Sequence, residues 1–194
     1  TQDFRSSTVI HIPDLIDNRI DLKMSDVFSD ISYIPLEAKE GSFVERIDHL
    51  VVDDDFILVH DRKHKKLLQF NAQGTFVKEF MKFGRGPGEF FEITALDFND
   101  KKEVLVLRNG QFVDIIDQSR NLVNSIKLTA TPNNARWLSN EIIVLFYPSP
   151  NFTRNDDFEL SFIDREGGVL KKGLKRSEDE LGTGKRTYMN VRKH

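Results

Sequence analysis

The chain has 194 residues, 39% of them hydrophobic and 30% charged, enough to bury a sizeable core in one domain or one large piece of a repeat domain. Its 28 basic and 31 acidic side chains leave a net charge of -3, spread along the whole length, which gives no electrostatic reason to expect a nucleic-acid partner. Without a single cysteine, disulfide frameworks and thiolate metal sites are excluded, and no apolar run approaches the ~18 residues that a helical membrane span needs.

Along the chain, Thr8 to Ile12 and Ile31 to Leu36 read as strands, with a short helical turn at Ser25 to Phe28 between them. The next segments come in pairs. Ile47–Val52 and Phe56–His60 flank Asp53-Asp54-Asp55, and Ile93–Phe98 and Val104–Leu107 flank a turn at 99–102. A third pair, Ala135–Leu138 and Ile142–Phe146, flanks Ser139-Asn140-Glu141. After each pair comes a hairpin: an apolar residue, then Asn or Asp, then a Gly- or Asn-bearing turn and renewed alternation. Its anchors Asn71, Asp117 and Asp164 are 46 and 47 residues apart. Asx side chains cap such turns and Gly or Asn tolerates positive φ there.

Four strands repeated at that period predict an all-β fold, a β-propeller of four-stranded antiparallel blades. The expected divisions are 1–46 for N-terminal strands, 47–92, 93–134 and 135–174 for one blade each, and 175–194 for a polar tail or the start of another blade. Sixteen Phe against three Tyr and one Trp suit closely packed sheet faces, since Phe has no polar handle. Three units do not close a ring, so the chain is expected to be part of a larger propeller, or to have its open edge covered.

The segment Gly84-Arg85-Gly86-Pro87-Gly88-Glu89-Phe90, set between one blade's last strand and the next blade's first, resembles the connector of NHL-type six-bladed propellers. With Ile34-Pro35-Leu36-Glu37 and Ile57-Leu58-Val59-His60-Asp61, the chain resembles the six-bladed β-propeller lipoproteins of Bacteroidetes-type bacteria, from about Ile31 to Leu170. That resemblance implies an exported envelope protein, held at the outer membrane through an acylated Cys expected upstream of Thr1 and facing the periplasm or the surface. It also implies a partner in nutrient uptake.

Candidate sites are few. Gly84, Gly86, Pro87 and Gly88 read as an ordered structural connector with glycines at positive φ, because the Lys and Ser or Thr of a phosphate loop do not follow. Gly182-Thr183-Gly184-Lys185 likewise lacks the phosphate-loop spacing. Arg62, Lys63, Lys65 and Lys66, with His64 among them, form the concentrated basic patch and are candidates for a sulfated or acidic ligand. His49 and Arg136 occupy matching places on the first strands of their units, where they could line a central channel. Phe152 and Arg154, in an expected loop over Tyr147 to Asp157, are candidate partner contacts. The triple Asp at 53–55 reads as an exposed turn and not a calcium loop, and the histidines show no zinc spacing, so no metal and no cofactor are expected. Asn151-Phe152-Thr153 matches a glycosylation sequon, a coincidence in a bacterial-looking chain. The reading is a non-enzymatic envelope module for binding or scaffolding, with an envelope protein as partner and carbohydrate as a further ligand class. The alternative is a propeller-type lyase or hydrolase acting on a polysaccharide or peptide.

Overall fold

The computed structural model describes residues 21–86, 88–119, 121–147 and 158–175, divided between two units, Thr1–Tyr33 and Ile34–His194. In the first unit the described residues carry one helical turn, α1 (Met24–Val27), whose Asp26 carboxylate accepts the Lys23 N–H at 3.0 Å. That matches the helical turn expected there; Thr8 to Ile12 lie outside the described residues.

Among the described residues the second unit has three sheets, antiparallel but for one short pair, each with its strands in sequence order. Blade 1 contains β1 (Ile47–Val52), β2 (Phe56–Asp61), β3 (Lys66–Asn71) and β4 (Phe76–Phe83), with the two-residue β5 (Glu89–Phe90) returning parallel to β4. Blade 2 contains β6 (Ile93–Phe98), β7 (Val104–Arg108), β8 (Phe112–Ile116) and β9 (Leu122–Lys127). Blade 3 contains β10 (Asn134–Ser139), β11 (Ile142–Phe146), β12 (Phe158–Ile163) and β13 (Val169–Lys175). The first strands of the blades, β1, β6 and β10, lie side by side. These are three consecutive blades of a β-propeller.

Each hairpin anchor does what its side chain allows. The Asn71 Oδ1 accepts the N–H groups of Gln73 and Thr75 at 3.0 and 2.9 Å. Asp117 accepts from Asn121 at 2.7 Å, and Asp164 from Glu166 and Gly168 at 3.1 and 2.6 Å. Gly74 and Gly167 take the positive φ in the first and third of these turns.

The two-residue period of the strands sorts the core into faces. In β7, Val104 and Val106 point to blade 1, where Leu58, Leu67 and Phe80 meet them. The alternating residues Leu105 and Leu107 point to blade 3, against Ala135, Ile143 and Leu145. Each fully buried Leu or Phe contributes ~1.5–3 kcal/mol. On the far face of blade 1, Ile57, Val59, Leu68 and Phe70 are covered by Leu36 and Val44.

That cover corrects one expectation. Ile31 to Leu36 form no strand. Pro35 has no N–H to give a ladder, and the segment is held instead by single contacts: Glu37 N–H donates to the Gly74 carbonyl at 2.8 Å, and the Glu37 carboxylate accepts from Phe76 N–H at 2.8 Å. From it Leu36, with Val44 further on, covers the blade.

Candidate functional site

Antiparallel pairing gives the blades two rims. One, the hairpin rim, gathers the turns β1–β2, β3–β4, β6–β7, β8–β9, β10–β11 and β12–β13. The other, the connector rim, gathers the turns β2–β3 and β7–β8 and the crossovers between blades.

The hairpin rim joins blades by charge. Lys102, in the β6–β7 turn, pairs with Asp53 of the β1–β2 turn and lies 3.6 Å from Asp55. Arg165 grips Glu103 with both ends of its fork, Nη1 at 2.7 Å and Nη2 at 2.8 Å, donates to the Asn140 carbonyl at 2.9 Å and lies over Trp137. The Arg165 guanidinium holds the Glu103 carboxyl down to about 2; burial opposes the shift and Asn99 supports it. Asp53, expected in an exposed turn, is thus largely buried under Lys102. A cleft of about 200 Å³ on this rim, walled by Phe56, Gln69 and Phe80 among others, has Lys102 as its lysine. That cation is already committed.

On the connector rim, Asp61 ends β2 fully buried. Its carboxylate accepts the N–H groups of Glu45, Arg46, Lys63 and His64, and it faces His64 Nδ1 at 2.8 Å. Burial would raise its pKa, but the His64 ring and these N–H groups outweigh it and hold the carboxyl well below the usual carboxylate range. The same device recurs in blade 2, where the Asn109 Oδ1 accepts from Phe91 and Glu92 at 2.8 and 3.1 Å. In both blades an Asx side chain after the second strand clamps the lead-in to the first.

The basic patch lies in the turn after Asp61, and its members have separate partners. Lys63 pairs with Glu45, Arg62 with Asp48 at 3.4 Å, and Lys66 donates to the Gly41 carbonyl at 3.2 Å. Lys65 has no carboxylate among the described residues. With φ at 55°, it sets its ammonium 4.5 Å from the Phe83 ring centre and 5.9 Å from that of Phe91. Arg85 lies over the other ring partner, 5.2 Å from the centre of Phe91.

Beside this cluster a cleft of about 240 Å³ opens between blades 1 and 2. Its buried part is formed by His60, Phe90 and Ile93, and its exposed part by Arg62, Lys65, Phe91 and Glu92. His60 is only 3% exposed, and its buried Nδ1 has no hydrogen-bond partner among the described residues. The His49 ring stacks on it at 5.4 Å, and Phe90 meets it edge-on at 5.7 Å. Burial lowers the His60 pKa to about 4, with the neighbouring His49 acting in the same direction, so the ring is neutral near pH 7.

The first-strand candidates serve as stitches to β6. His49 Nε2 donates to the Ile93 carbonyl at 3.2 Å, and Arg136 Nη1 donates to the Leu96 carbonyl at 2.9 Å beside Asp97. In the connector, Gly88 has a φ of 71°, whereas Gly84 and Gly86 are not at positive φ. Their lack of a Cβ makes room for the Glu89 carboxylate, which accepts the Gly86 N–H at 3.0 Å. Pro87, Phe152 and Arg154 lie outside the described residues, as do Asn151 and residues 182–185. Sequence reasoning missed His60 and the two clamps, Asp61 in blade 1 and Asn109 in blade 2. His60 sits two residues after the inward-facing Leu58, so strand alternation alone could have placed it between blades. Among the described residues no group of His, Asp and Glu could hold a metal ion, and no helix is long and apolar enough to cross a membrane.

The fold has a solved counterpart. A Bacteroides fragilis protein described as a "putative exported protein" superposes with a TM-score of 0.64 at 16% identity, over 76% of this chain and 43% of its own. A Bacteroides caccae protein of unknown function matches at 19% identity and a TM-score of 0.40, over 61% of this chain and 41% of its own. The WD40 domain of Neurospora crassa Pan2 matches at 11% identity and a TM-score of 0.35, over 65% and 51%. The chain thus spans about half the length of these structures or less. No curated protein matches it. Matched by the family model over residues 7–193, the chain belongs to the family described as Domain of unknown function (DUF4934).

Proposed function

We propose that this protein is a non-enzymatic, envelope-associated propeller that works as a binding or scaffolding module, as an accessory of an outer-membrane nutrient-uptake system. The observation that carries the reading is the contrast between the rims. The hairpin-rim cations Lys102 and Arg165 are consumed in holding blades together, while on the connector rim Lys65 and Arg85 stand over Phe83 and Phe91 with no carboxylate of their own among the described residues. Cations on aromatic rings, carried by a rigid sheet scaffold, are contact chemistry and need no reaction. Export is supported by the description of the Bacteroides fragilis neighbour. The finer address, an outer-membrane lipoprotein of the NHL-like type anchored through a residue outside this chain, rests on the sequence resemblance. The test is cross-linking in the native host followed by membrane fractionation. Recovery with the envelope and with one reproducible protein partner is the expected result; a cytoplasmic protein with turnover on a small substrate would overturn the reading.

A further inference from the structure

We infer that the cleft between blades 1 and 2 on the connector rim binds a small hydroxylated carboxylate of the sugar-acid class. This deepens the binding-module reading and rests on it. The cleft has a dry floor and a charged mouth: His60, Phe90 and Ile93 are buried, and Arg62, Lys65, Phe91 and Glu92 are exposed around them. At about 240 Å³ it is smaller than the ~300–1,000 Å³ of sites for drug-sized ligands, which suits a single ring and excludes a long chain lying within it.

Each wall asks for a different part of such a ligand. The floor contains the nearly buried His60 ring, 3% exposed, beside Phe90 and Ile93. Nδ1 itself is buried, so a ligand seated there meets the face or edge of the ring and changes the surroundings of the imidazole. At the mouth, among the described residues, Lys65 lacks a carboxylate partner and the Arg62 guanidinium has only the 3.4 Å contact with Asp48. A ligand carboxylate supplies the missing charge. Glu92 on the same mouth accepts hydrogen bonds from hydroxyls and repels a second negative charge, which selects a monocarboxylate over sulfate or a phosphate ester. Phe91 offers a flat face to the C–H side of a sugar ring. Lys65 sets its ammonium over Phe83 and Phe91 at this mouth.

The experiment is titration of the purified chain with glucuronate and galacturonate by calorimetry, with the His60 imidazole followed by NMR. Glucose and inorganic sulfate are the comparison probes. Binding of a uronate with a shift at His60, and affinity for glucose and sulfate lower by about ten-fold or more, is the expected result. Lys65→Asn should weaken uronate binding by about ten-fold or more while keeping the melting temperature, because Asn tolerates positive φ. Lys63→Asn, which removes a lysine already paired with Glu45, should leave binding unchanged. A uronate-terminated disaccharide binding as tightly as the free acid would identify a glycan end as the source, and binding of the free acid alone would identify the monosaccharide. No uronate binding at millimolar concentration, equal affinity for sulfate, or an unaffected Lys65→Asn variant overturns the inference. A chain that still recovers its envelope partner but takes up no sugar acid overturns this inference alone.

Discussion

His60 shows how one residue ties stability to pH. Its ordinary value of 6.5 is lowered to about 4 by burial and by His49, so between those values the unfolded chain binds the proton more readily than the folded one. The neutral ring therefore gives stability that is fully present above 6.5 and drains away as the pH falls toward 4. The loss should reach up to about 3 kcal/mol, read as a falling urea midpoint between pH 7 and pH 4. His60→Leu should flatten that slope. Glu103 and Asp61, both held below their ordinary values by partners, contribute stability that is lost only in more acid solution, and the variant should keep that second decline. The residue was legible in the sequence as a strand histidine. What hid its importance was the choice of His49, whose ring lies on the same face and whose Nε2 is already donated to β6.

At the level of elements, the turns divide into those that need glycine for conformation and those that need it for room. Gly74 needs both: its φ is 83°, and a Cβ would fall on the Pro35 carbonyl oxygen. Gly88 needs conformation alone, at φ 71° with open space around it. Gly86 needs only a small accommodation from Glu89. Gly88→Ala should therefore cost about 1 kcal/mol and Gly86→Ala less, while Gly74→Ala should cost well over ~1 kcal/mol; denaturant unfolding of the three variants checks the order. The strands and anchors were legible because Asn71, Asp117 and Asp164 repeat one hydrogen-bonding device on one period. The end of the stretch from Ile31 to Leu36 was misread because Leu36 packs on Phe70's cluster without a ladder. The Asp61 and Asn109 clamps escaped notice because two different residue types do the same work in the two blades.

For the whole molecule, stacking is the organising force, and it leaves one face uncovered among the described residues. Blade 3 meets blade 2 through Ile143, Leu145 and Ile163, and the alternating residues on its other side include the exposed Leu138 and Phe146. Leu138→Glu with Phe146→Glu should leave the unfolding free energy within about 1 kcal/mol while reducing self-association in sedimentation velocity. Leu107→Ala, which empties a fully buried position between blades 2 and 3, should cost about 3 kcal/mol. The alternating pattern announced the stack but not its charge pairs, because Lys102 and Asp53 are 49 residues apart and Glu103 and Arg165 are 62 apart. Those pairs have a consequence for interchangeability. Blades 1 and 2 are joined through two turns of the same kind, whereas blades 2 and 3 add to such a pair, Lys101 with Glu141, an arginine of a later hairpin. A shuffled chain could offer each apolar face a similar neighbour and still set Glu103 against no guanidinium. The blades share one pattern but each has an address, and their order is written in charge at the rim.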